Sequence, residues 1–167
     1  GIRGDTEEEQ LADLNRLMTM RITIAEKILE QGTSPEYRVP AAFAKLDSLS
    51  VLTFYEQPGA LQRLCDYTET LKDDAIEDIR VAAAKAKLEA LENLAGTNDP
   101  DAVQRLQEAF QSLLNSETPS IRMEAIKVKI SHLTRQIELG DPDAQQQYEQ
   151  FASSLTEEKD PDAARLG

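Results

Sequence analysis

The sequence predicts an all-α fold of about seven helices, arranged as tandem two-helix units of 42 residues, in the size range of HEAT-like and tetratricopeptide-like stacks. Three observations predict it. The chain aligns with itself, without gaps, at a shift of 42 residues. Its apolar residues recur at helical spacing. Strand signals are almost absent: the one β-like run, "SVLTFY", falls where the register places a helix end.

The self-alignment is dense. Arg38, Arg80 and Arg122 coincide, as do Ala41, Ala83 and Ala125. Lys45, Lys87 and Lys129 follow, then Leu49, Leu91 and Leu133. Pro58, Pro100 and Pro142 align, each two residues ahead of an alanine. Leu29, Leu71, Leu113 and Leu155 extend the register, with Ile22, Leu64, Leu106 and Tyr148 at a further position.

Each unit reads as two helices. The stretch from about 8 to 30 is a first, longer helix whose leucines and isoleucines match the phase of the second helix of a unit. The first helices of the units cover about 36–55, 76–95 and 119–138. Ser34 and Thr118 stand ready as caps, with Pro35 and Pro119 at the first helical position, where a missing N–H costs nothing. The second helices cover about 58–71, 99–115 and 141–155, with prolines in their first turn and Asp99 and Asp141 as caps. Glycines in "NLAGTND" and "IELGD" end two of the first helices. The expected domain is a single helical body over 1–167, ordered from about 8 to 156, with residues 1–6 and 157–167 mobile. The hand of the stack, right or left, is left open. "KDPDAARLG" starts another unit in register, so the chain is expected to be the amino-terminal or an internal part of a longer protein.

At 100° per residue, the first helix of each unit is apolar on two faces. Ile79, Ala83, Ala86 and Ala90 lie on one, with Val81, Ala84, Leu88 and Leu91 opposite. A helix with neighbours on both sides needs that pattern. Arg38 and Lys45, Arg80 and Lys87, and Arg122 and Lys129 share the flank between the faces. This basic flank serves either the internal packing, its long side chains reaching carboxylates and helix-end carbonyls, or an acidic partner segment.

Composition excludes several function classes. The net charge of −13 opposes nucleic acid and anionic membrane surfaces as partners. No stretch is apolar and long enough for direct membrane insertion. Tryptophan is absent, so ring-stacking sites are hard to build. His132 is the one histidine and cannot form a histidine metal cluster. Cys65 is the one cysteine; it has no CxxC partner, and neighbouring acids disfavour its thiolate. Asp73, Asp74, Glu77 and Asp78 gather at a helix start, without a calcium-loop glycine, and read as capping and solvated charge. No phosphate loop, nucleotide fingerprint or nucleophile elbow is present. The reading is therefore no enzyme, no catalytic residue, no metal and no cofactor.

The segment from "AEKILEQGTSPEYRVPAAFAKLDSLSVL" to "DPDAVQRLQEAFQSLL" resembles the helical repeat region that precedes the thioredoxin-like domain of planctomycete thiol–disulfide interchange proteins. Arg80, Ala84, Lys87, Leu88 and Leu91 carry the likeness, followed by the turn at 99–102, Leu106 and Phe110. The resemblance implies a secreted, periplasmic or membrane-tethered full-length protein with a redox domain beyond residue 167. It carries no catalytic residue onto this chain, which lacks the redox CxxC. The functional expectation is a non-enzymatic helical scaffold or protein-interaction module, partnered by another protein or by an adjacent domain. A purely structural spacer and an enzyme with a carboxylate or metal site are the alternatives.

Overall fold

The computed structural model describes residues 6–32, 34–96 and 100–156. Among these residues there are seven helices and no strand. They are α1 (Glu7–Gln31), α2 (Pro35–Phe54), α3 (Ala60–Leu71), α4 (Glu77–Ala95), α5 (Pro100–Leu114), α6 (Pro119–Glu138) and α7 (Ala144–Thr156).

Local chemistry explains the helix ends, with several departures from expectation. Thr6 caps α1: its hydroxyl accepts the Glu9 amide at 3.2 Å, and the Glu9 carboxylate accepts the Thr6 amide at 3.2 Å. That reciprocal capping box satisfies two amides that no helical carbonyl reaches. Thr6, the last residue of the end expected to be mobile, is the cap residue of α1; the remainder of that end, and 157–167, lie outside the described residues. Ser34 and Thr118 occupy the cap positions of α2 and α6, but neither side chain caps. Instead the Ser116 hydroxyl accepts the Thr118 amide at 3.3 Å. Pro58 and Pro142 sit in the turns ahead of α3 and α7 rather than in their first helical turns. The Asp141 carboxylate does hold its turn, accepting the Asp143 amide at 3.0 Å; Asp99 lies outside the described residues. Gly140 follows α6 with φ 82°, a left-handed conformation that glycine adopts without penalty. Gly96 caps α4 in an ordinary right-handed conformation.

Packing follows the two-faced pattern. α4 packs on α2, α3, α5 and α6; α2 also packs on α1 and α3, and α6 on α5 and α7. Ile79, Ala83 and Ala90 of α4 share a core cluster with Ala42, Leu46 and Leu49 of α2. On the other face, Leu88 and Leu91 of α4 cluster with Ala125 and Val128 of α6. Alanines on one side let the α-helical backbones approach, and leucines on the other fill the remaining space. The core is a run of three clusters rather than one ball. Leu61 packs against both the first and the second, and Leu114 against both the second and the third.

Candidate functional site

The three arginines meet backbone and carboxylate groups at helix starts. The Arg38 guanidinium, on α2, pairs with the Asp74 carboxylate in the turn before α4. The other Asp74 oxygen accepts the Ile76 amide at 2.9 Å. Arg80 donates to the Asp74 carbonyl. Asp74 therefore ties α2 to the start of α4, and its side chain is almost completely buried, at 2% exposure. Arg122, on α6, makes a like contact, donating to the Ser116 carbonyl at 2.7 Å. Each arginine thus reaches a group at the mouth of one of the short turns before α4 or α6.

The lysines of the flank divide. Lys45 Nζ lies 2.8 Å from Glu26 of α1 and 4.1 Å from the centre of the Tyr67 ring on α3. Lys129 Nζ lies 4.2 Å from the centre of the Phe151 ring on α7. Tyr67 and Phe151 occupy the same position of the repeat relative to their lysines; the matching position for Lys87 is Ala109, which offers no ring. Among the described residues no carboxylate comes within ion-pair distance of Lys129. Burial lowers its pKa from the ordinary lysine value. Burial, then the Asp74 charge, pushes the Tyr67 phenol up to about 12. The Tyr67 hydroxyl is buried without a hydrogen-bond partner among the described residues.

Two crevices flank these side chains. A smaller one, about 360 Å³, is lined by Leu29, Arg38, Tyr67, Leu71, Asp74 and Ile79. A larger groove, about 810 Å³, runs over α6 between α5 and α7. Arg122, Phe151, Ser154 and Leu155 line it, and in the repeat register they are the counterparts of Arg38, Tyr67, Thr70 and Leu71 in the smaller crevice.

The remaining candidates are modest. The His132 ring stands 6.0 Å from Phe110, with Nδ1 3.8 Å from Glu92. Cys65 is half-buried; burial pushes its thiol pKa up, partly offset by Lys87 and Arg105. Of the acids before α4, Asp74 is engaged as described, and Glu77 accepts a hydrogen bond from Ser120. Among the described residues no group of three or more His, Cys, Asp and Glu side chains converges on a point where a metal would sit. No helix among them is long and apolar enough to cross a membrane. The sequence singled out the arginines and lysines but missed Asp74 as the shared partner of Arg38 and Arg80. The available signal was its place ahead of Arg80, matched in the register by Ser116 ahead of Arg122.

No family model, curated protein or solved structure matches the chain.

Proposed function

We propose that the chain is a non-enzymatic scaffold of tandem two-helix units, acting as a protein-interaction module for another protein or for an adjacent domain of its own polypeptide. The observation that carries this reading is the recurrence of one joint. Arg80 and Arg122 make the same carbonyl contact in successive units, at starts of helices that pack on the preceding long helix. Joints of that kind let a chain extend a surface by adding units, each contacting its neighbours. A surface so built suits a peptide or a protein face better than it suits catalysis, which calls for a single asymmetric pocket.

The inward use of the basic flank supports a second reading, a structural spacer, because four of the donors expected on a binding stripe, Arg38, Lys45, Arg80 and Arg122, are spent on the fold itself. The resemblance stated above extends the first reading to an accessory role beside a thiol–disulfide exchange domain. Cross-linking mass spectrometry on the purified natural polypeptide separates the readings. Reproducible cross-links from this segment to an adjacent domain or to a purified client support the module. Cross-links confined to the segment itself support the spacer and overturn the module. Turnover or metal-dependent activity abolished by substituting Asp73 and Asp78 would overturn both.

A further inference from the structure

The two crevices solve the same problem differently. In the smaller one the chain supplies an acid to the adjoining lysine: Glu26 takes Lys45. In the larger one Phe110 is the register counterpart of Glu26, so the position that supplies the acid carries a ring. Lys129 is left resting on Phe151, partly desolvated and, among the described residues, without a carboxylate. Desolvated charge is costly until an opposite charge arrives.

The rest of the groove suits one kind of occupant. In a chain of net charge −13, its charged lining among the described residues is Arg122, Lys129 and a single acid, Asp141, with His132 beside them. Val103, Leu114 and Phe151 keep part of their apolar surface open to it. The side-chain amides of Gln107, Gln111, Gln136 and Gln147 border it and make no hydrogen bond among the described residues. An amide side chain offers both donor and acceptor, which is what the main chain of an extended peptide needs along its length.

We propose that the α5–α7 groove docks an extended acidic peptide segment of a partner protein, one carboxylate pairing with Lys129 while its apolar side chains cover Val103, Leu114 and Phe151. This rests on the interaction-module reading and names its site and the chemistry of its partner. The charge complementarity is local: the outer surface of the chain repels an acidic segment, so the groove selects position as well as sign.

The test is selection of a display library of random nine-residue peptides on the full 167-residue chain, followed by fluorescence anisotropy of the winners. The expected winners carry aspartate or glutamate among apolar residues. Lys129→Glu weakens their binding at least about tenfold, and replacing the peptide's acid with lysine restores it in that variant. Lys85→Glu, on an exposed stretch of α4 outside the groove, leaves binding unchanged. Circular dichroism confirms that each variant folds. Winners without acids, or winners indifferent to Lys129→Glu, overturn the groove while leaving a module with another surface. Acidic peptides that bind only after residues 157–167 are removed overturn the partner assignment and make the chain's own end the occupant. An empty selection overturns the groove proposal; the module reading is then judged by the cross-linking experiment alone.

Discussion

Replacing Asp74 with alanine removes two bonds from one buried side chain. The Ile76 amide at the start of α4 loses its acceptor, a loss comparable to removing a helix cap, about 1 kcal/mol. Arg38 loses its carboxylate. A hydrogen bond to a charged group is worth about 1.5–3 kcal/mol, but the Arg38 side chain is 35% exposed and water recovers part of it, leaving about 1–2 kcal/mol. The sum, about 2–3 kcal/mol, corresponds to a Tm drop of roughly 5–10 °C for a chain of this size. Urea and thermal unfolding followed by circular dichroism read it. Asp74→Asn keeps an oxygen for the Ile76 amide and removes the charge, so about half of the effect is expected. A double-mutant cycle with Arg38→Ala should return a coupling of about 1–2 kcal/mol. An Asp74→Ala loss below about 0.5 kcal/mol, or a coupling near zero, refutes the idea that this aspartate is the joint between α2 and α4.

Other expectations follow from single contacts. Lys45→Met should cost about 1 kcal/mol more than Lys129→Met in chemical denaturation, since among the described residues Lys45 has a carboxylate partner to lose and Lys129 has none. A spectrophotometric phenol titration should show one tyrosine ionising late, near 12, and that component should vanish in Tyr67→Phe. The folded pKa is raised, so the stability held below the ordinary tyrosine pKa of 10.0 should fall as pH climbs from there to about 12. Thr6→Ala should speed amide hydrogen exchange in the first turn of α1 and destabilise that turn by about 1 kcal/mol. Gly140→Ala should cost about 1 kcal/mol by thermal melting, from the left-handed backbone alone, because a Cβ there meets no neighbouring atom.

Much of the helical layout was legible because the register and the helical period agree. Both faces of α4 are buried as its two apolar stripes require: Ile79 and Ala83 on one side, Leu88 and Leu91 on the other. What a register conveys is which positions are equivalent, and equivalence does not name a partner. Arg80 and Arg122 reach back to a carbonyl in the turn just before their own helix, while Arg38 reaches forward across two helices to a side chain. The long arginine stem allows either, and only the placement of the helices decides. Ser34 and Thr118 do stand at the cap positions the sequence marks, but neither side chain accepts a first-turn amide, because residue type marks a cap position without fixing where its hydroxyl points. The capping box at Thr6 and Glu9 was missed although its signature, a threonine followed three residues later by glutamate ahead of an apolar run, was there to be read. The groove was not legible. It depends on Phe110 replacing an acid at a matching position and on the spacing of α5 and α7 across α6, neither of which a periodicity displays.

The proposed stack is tested most directly by spin-label distances. Asp47, Glu89 and Ser131 are exposed, lie on α2, α4 and α6, and occupy the same position of successive units. With Cys65 replaced by serine, labels are introduced in pairs and measured by pulsed electron resonance. Neighbouring packed helices lie about 8–10 Å apart, so a linear stack places the outer pair about twice as far apart as each inner pair. Equal distances for 47–89 and 89–131, with 47–131 close to their sum, are the predicted result. An outer distance no longer than an inner one means that the three helices close into a bundle, and it would contradict the account.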